Sequence, residues 1–416
     1  MQKLFEKNRY RMFIPVSIMM FTTGFPSIWS VFQADPVARY GITLDRAAML
    51  FPMCTAFYGL FYIVGGKLSE KFDNRICAMA GTCIMCMGIL DLALLGSGTS
   101  VITLVLLFSL PFGAGCGIIF PNINPPFLRW FIDKGGFAYG FVCAGCSILS
   151  MGMTYVSNFL LNTFGMQKAV IFIAAAYFVV SIASCFSFVS PTAEFMNKTL
   201  DNMTPKKAVA RPVKKMVDFS TKEMLSTKQY YLLLSVGIFS APRYMLIGPS
   251  RVTLGISRGL SEGMAVTMVA ASMGVSAIAQ LVVPSVSDKT GRKPALAVML
   301  SVVLAASIIL SFGKGGRFMA AFLALVFSNS AWAVMLMPFS NDLFGLKYSG
   351  TNSGFINMYN TITAFSLPLV LSAVSMLCGD MARHVIAVAG CTVGLICLLL
   401  IDTDTAKLKT RRKKAE

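Results

Sequence analysis

Twelve apolar runs, each long enough to cross the ~30 Å hydrocarbon layer of a bilayer as a helix, constrain what this chain can fold into. The first six are Met12 to Phe32, Ala47 to Gly65, Ile76 to Leu95, Val101 to Phe120, Phe137 to Leu161 and Val170 to Val189. After a polar interval come Tyr230 to Ile247, Met264 to Val283, Ala295 to Phe312, Met319 to Phe339, Phe355 to Leu377 and Val385 to Ile401. In lipid every backbone polar group needs an internal partner, so the pattern predicts an all-α membrane protein of twelve transmembrane helices in two six-helix halves. The expected organisation is an N-terminal bundle over 1–189, a linker over 190–228 and a C-terminal bundle over 229–416. The first run exceeds a signal-peptide core and lacks an A-x-A cleavage site, so it is expected to stay as helix 1.

Charge sets the orientation. Only 13% of the 416 residues are charged, against about 25% in soluble domains, and 56% are hydrophobic. The formal net charge of +18 is confined to particular loops. Lys3, Lys7, Arg9 and Arg11 precede run 1, Lys67, Lys71 and Arg75 follow run 2, Arg129 and Lys134 follow run 4, and Lys289, Arg292 and Lys293 follow run 8. Further lysines and arginines occupy the linker and the C-terminal tail, while alternate loops such as Gly96 to Ser100 are short and weakly basic. By the positive-inside rule the expectation is a cell (inner) membrane protein with both termini cytoplasmic, and the basic charge predicts no nucleic-acid partner.

Metal and cofactor chemistry is not expected. The chain has 11 cysteines and a single histidine, His384. Cys83 with Cys86 and Cys143 with Cys146 are CxxC pairs inside apolar runs, without the second pair that zinc requires, so packing by a small soft side chain is the reading taken. There is no phosphate-cradling glycine loop followed by Lys-Ser/Thr, and no metal-ligand set or nucleophile with its base marks an enzyme. Transport driven by a gradient is the expectation.

Matched signatures follow runs 2 and 8. Gly66-Lys-Leu-Ser-Glu70-Lys71-Phe-Asp-Asn-Arg75 and Pro284-Ser-Val-Ser-Asp288-Lys289-Thr-Gly291-Arg292-Lys293 occupy the same place in each half. This spacing resembles the loop motif of the major facilitator superfamily, in which an acid and following bases latch the cytoplasmic face. The resemblance implies a cytoplasmic gate of Gly66, Glu70, Lys71, Arg75, Asp288, Lys289 and Arg292. The first copy departs from the pattern, with Glu70 for the usual Asp and Asp73 where a Gly is expected. A carboxylate at a helix end can pair with a neighbouring Arg and with the positive end of an adjacent helix.

Further stretches resemble the oxalate/formate antiporter family, relatives of the monocarboxylate transporters. They are Gly113-Ala-Gly115-Cys-Gly117, Arg129-Trp130-Phe131-Ile-Asp133-Lys134, Glu223-Met224-Leu225-Ser-Thr227-Lys-Gln229, and Asp342-Leu-Phe344-Gly345 with Asn352 and Gly354-Phe355. In the characterised oxalate exchanger an arginine in helix 8 and a lysine in helix 11 hold the dianion. Alignment on Ser287-Asp288-Lys289 and Asn352-x-Gly354-Phe355 puts Gln280 and Asn360 at those positions, so both positive charges are missing.

Charges deep in a bilayer cost ~2.5 to 3.5 kcal/mol on insertion scales and are therefore candidate functional groups. Arg243 lies about fourteen residues into run 7, beside Pro242, and is the candidate attractor of a substrate carboxylate, with snorkelling to the external surface as the alternative. Asp91 in run 3 is a candidate proton site, with a position near the external interface as the competing reading. In run 4, Asn122 and Asn124 stand among Pro121, Pro125 and Pro126, as cavity-lining amides or as a helix end. Ser272, Ser276 and Gln280 share a face of run 8, run 11 offers Asn357, Tyr359 and Asn360, and Trp29 with Tyr58 and Tyr62 forms a candidate aromatic wall. The expected function is secondary transport of a small organic anion, a monocarboxylate or related acid, by alternating access. The alternatives are a carrier of a neutral or zwitterionic metabolite and a non-transporting membrane sensor. Expected partners are the small-molecule substrate, a coupling ion or counter-substrate, and the lipid bilayer, for a monomer.

Overall fold

The computed structural model describes residues 6, 8–25, 39–192, 194–196, 199, 218–242 and 251–403. Among them a helix stands at each of the twelve expected places, and no strand occurs. In the first half these are α1 (Phe13–Thr22), α2 (Leu44–Lys71), α3 (Asn74–Leu94), α4 (Val101–Trp130), α5 (135–164) and α6 (166–187). The second half has α7 (Lys228–Ser240), α8 (Glu262–Thr290), α9 (Arg292–Phe312), α10 (Gly315–Phe344), α11 (Ser349–Cys378) and α12 (Ala382–Leu400). Among the described residues, seven continuous helices are long and apolar enough to cross a membrane, one of them the joined α5–α6, and α11, bent by 50° beside Pro368, makes an eighth.

Helix ends follow local chemistry. Ser100, Thr227 and Ser261 each accept a backbone N–H from the first turn of α4, α7 and α8. Asp73 does the same for α3, accepting from Arg75 N at 2.7 Å, which gives the departure from glycine in the first loop motif a structural role. Gly291 turns the chain from α8 into α9 at φ 97°, a conformation costly for any residue with a Cβ. Gly165, at φ 74° and ψ 167°, is the only non-helical residue between α5 and α6.

The apolar run ends at Phe120, and of the two readings of the segment after it, cavity lining or helix end, the helix-end reading fails at the prolines: α4 continues through all three to Trp130. Each proline removes one intrahelical hydrogen bond, and the surroundings compensate. Asn122 Nδ2 donates to Ile118 O at 2.8 Å and to Gly65 O at 3.2 Å, bracing this segment internally and against α2. Packing is close on two sides: a Cβ at Gly113 or Gly117 would strike the α2 backbone, and one at Gly115 would strike α3. Small residues thus let three helices approach where lipid supplies no hydrophobic drive.

The largest buried apolar cluster draws on residues 12–189, joined by Val334 and Met337 of α10. Two further clusters lie wholly within 219–401. Leu106, Phe159, Val179, Ile278, Phe312 and Leu369 are large, apolar and exposed, as suits side chains that face lipid.

Candidate functional site

Between the halves lies a cavity of about 320 Å³ lined from α1, α2, α4 and α5 on one side and α8, α10 and α11 on the other. Gln280, Tyr359 and Asn360 line it, as do Tyr58 and Tyr62. Tyr58 and Tyr62 pack edge to face at 5.6 Å, and Phe120 packs on Tyr58 at 5.2 Å, so the α2–α4 wall is aromatic. Tyr359 is set by α7: a Cβ at Gly237 would meet its ring at 2.5 Å.

A polar relay crosses the cavity. Ser147 Oγ on α5 donates to Gln280 Oε1 at 2.8 Å, Gln280 Nε2 donates to Ser276 Oγ at 3.3 Å, and Ser276 Oγ donates to Ser330 Oγ at 2.7 Å. On α11 Asn357 Nδ2 donates to Ser353 O at 2.9 Å, while Asn360 Nδ2 reaches Asn357 Oδ1 only at 3.5 Å. Among the described lining residues the polar groups are phenols, thiols, hydroxyls and amides, none of them charged at neutral pH. Such a surface offers hydrogen-bond donors and acceptors without full charge. No group of three His, Cys, Asp or Glu among the described residues is placed to hold a metal.

The other expected site residues lie elsewhere. Asn122 and Asn124 are fully buried beside the cavity rather than on its lining, and Asn124 Nδ2 reaches Tyr139 Oη at 3.4 Å. Asp91 is half-buried in the last turn of α3 and is not among the lining residues. Arg243 and Trp29 lie outside the described residues. Sequence reasoning missed Ser147, Tyr139 and Cys143, all cavity-lining. They recur every four residues along one face of α5, a stripe that a small-residue context disguises as packing.

The end of the molecule that carries the basic loops is sealed by two seams between the halves. Along α5–α8, Asp288 accepts from the backbone N–H of Phe137 at 2.9 Å and of Gly136 at 3.3 Å, in the first turn of α5. Arg292 Nη2 holds the same carboxylate at 2.9 Å while its Nε donates to Asp342 at 2.7 Å. Gly140 abuts the carbonyl of Gln280, leaving no room for a side chain. Along α2–α11, Gly66 lies against the backbone of Gly350 and Thr351, and Thr351 Oγ1 donates to Glu70 at 2.6 Å. Arg129 adds a bond to Leu346 O at 3.2 Å. Lys71 and Lys289 are exposed, and Arg75 is half-exposed. Arg9 ties the chain before α1 to Asp133 at 2.6 Å; burial pushes its pKa down, but the Asp133 carboxylate outweighs that and the net direction is up.

A two-bundle membrane protein with a polar cavity at the bundle interface is the architecture of a solute carrier. The Major Facilitator Superfamily model matches residues 12–368, and the chain belongs to that family. It is 26% identical to the oxalate:formate antiporter of Oxalobacter formigenes over 346 residues, covering 82% of this chain and 79% of that protein. It is 22% identical to YhjX of Escherichia coli K12, an uncharacterised transporter of the same superfamily, over 368 residues, 85% of each chain. Among solved structures, the proton:xylose symporter XylE superposes with a TM-score of 0.73 at 11% identity, covering 97% of both chains. FucP in its outward conformation superposes with 0.67 at 13% identity, covering 95% of this chain and 98% of that one. The fold is therefore the major facilitator fold, and the chain is a multi-pass membrane transporter.

Proposed function

We propose that the protein is a secondary carrier of a small organic anion, a monocarboxylate or related acid, working by alternating access. The observation that carries this reading is the polar cavity at the bundle interface, lined by Gln280, Tyr359 and Asn360 and closed on one side by paired seams. Similarity to an oxalate:formate antiporter supports the acid class. In this reading the amide groups of Gln280 and Asn360 supply donors to the carboxylate, Tyr58 and Tyr62 cover its apolar end, and Arg243 supplies positive charge. Asp91 is retained as a proton site only for a proton-coupled carrier.

The basic end is cytoplasmic in this proposal, so both termini face the cytoplasm of a cell (inner) membrane. Residues 1–189 and 229–416 act as two bundles joined by 190–228, and the bundles rock about the cavity. Glu70, Lys71, Arg75, Asp288, Lys289 and Arg292 then form the gate that Gly66 packs into, and the seams part as it opens.

A second reading, a neutral or zwitterionic metabolite, is favoured by one observation: the described lining residues carry no charge. The test is counterflow into proteoliposomes with purified protein and a panel of formate, oxalate, lactate, neutral amino acids and sugars. Exchange restricted to acids supports the proposal. Exchange restricted to amino acids or sugars replaces it with the second reading, and no exchange at all removes both.

A further inference from the structure

Beneath the cavity floor the two halves repeat one local device. In α4 the sequence runs Phe120-Pro121-Asn122-Ile123-Asn124, and in α10 it runs Met337-Pro338-Phe339-Ser340-Asn341. The second copy follows the first by 217 positions (341 less 124), one fewer than the 218 that separate Asp288 from Glu70. Phe120 and Met337 both line the cavity. Each is followed four residues later, on the same helix face and one turn nearer the basic end, by an asparagine.

Both asparagines are shut away from solvent and both are under-satisfied. Asn124 is 0% exposed and Asn341 5%, and each has an Oδ1 with no hydrogen-bond partner among the described residues. Asn124 Nδ2 has only its long 3.4 Å contact with Tyr139 Oη, and Tyr139 is itself a lining residue. The α10 face that carries Met337 packs into the apolar core of the first half, so Asn341 continues a surface turned towards that half. Nearby, Ser353 Oγ, also on the lining, is unpartnered as well.

A buried amide oxygen without a partner forfeits its hydration for nothing in return, and native chains carry few of them. Two such oxygens, at repeat-related positions directly below two repeat-related cavity residues, are placed where a solute leaving the cavity towards the basic end would meet them. We infer that Phe120 and Met337 form the floor of the cavity and that Asn124 and Asn341 form a second, release-side station for the transported solute. This inference rests on the carrier reading above. An amide can donate through Nδ2 to a carboxylate or accept through Oδ1 from a hydroxyl or ammonium group, and it holds either without full charge. A station of that kind passes its solute on to water quickly.

The experiment uses the full chain with its native cysteines replaced and a single cysteine at position 124 or 341. Reaction with a small charged methanethiosulfonate is timed in the parent and in a Asp288→Asn background that loosens the basic end. The expected result is reaction at least about tenfold faster in the loosened background, slowed again by a solute that the carrier moves. Equal rates in both backgrounds overturn the inference, and acceleration without protection by any transported solute overturns the station while leaving a hydrated gap. If sugars or amino acids protect and acids do not, the station stands and the acid reading falls. Should the cysteine-free protein not fold, the double variant Asn124→Ala, Asn341→Ala serves instead. It should raise the half-saturating concentration of formate or oxalate, or of a sugar or amino acid if the panel selects one, about fivefold from the basic face alone. A change of equal size from both faces, or none from either, sinks the inference.

Discussion

Neutralising Asp288 tests whether the α5–α8 seam holds the basic end shut. In Asp288→Asn the bond to Phe137 N–H at 2.9 Å and the weaker one to Gly136 N–H at 3.3 Å lose their charge assistance. A charge-assisted bond is worth about 1.5–3 kcal/mol and a neutral one about 0.5–1.5 kcal/mol, so the better bond alone loses roughly 1–2 kcal/mol. Removing an anion from the first turn of α5 takes away a further ~0.3–1 kcal/mol, less whatever solvent screens, and the carboxylate is only 16% exposed. A net change of about 1.5 kcal/mol shifts the equilibrium towards the open basic end by about tenfold. Arg292 keeps its bond to Asp342, so the second half is expected to remain folded. Double electron–electron resonance between nitroxides at Lys134 and Lys289, both exposed and flanking the seam, reads the populations directly. A distance distribution that stays within twofold of the parent refutes the reasoning.

Three further outcomes follow from the same contacts. Gly140→Ala sets a methyl group against the Gln280 carbonyl, so the basic end should fail to close and exchange should fall by more than about tenfold at normal expression, measured by counterflow. Gln280→Ala and Asn360→Ala each remove one neutral hydrogen-bonding group and should raise the half-saturating concentration by about 2- to 12-fold with little change in maximal rate, measured by initial-rate uptake. Arg292→Gln removes a buried cation from two partly exposed carboxylates and should cost about 1–3 kcal/mol of stability, visible as a lowered Tm in detergent.

Much of the architecture was legible because lipid simplifies the code: a span must be helical and long, and apolar runs announce both. The end of α4 was left open, since Pro121, Pro125 and Pro126 fit a helix end as well as a continued helix until the partners Gly65 O and Ile118 O for Asn122 are known. The polar stripe of α8 led to Gln280 on the cavity, because a hydrogen-bonding side chain inside an apolar run has few other uses. Ser147 stayed hidden because a hydroxyl among Gly145, Cys146 and Ile148 looks like a packing residue, and only the fold reveals Gln280 opposite it. Charge in the loops marked Asp288, but its partners in the first turn of α5 stand about 150 residues away in sequence, beyond the reach of any local pattern.

The seams have a consequence for how such a machine is tuned. At Gly66 and Gly140 one main chain presses on another, and a contact of that type is indifferent to dissolved ions, whereas attraction between exposed charges fades with ionic strength. Resting closure should therefore survive in concentrated brine as well as in dilute buffer. Its adjustment lies in single methyl groups, so one added carbon atom offers a way to trap the carrier in one pose.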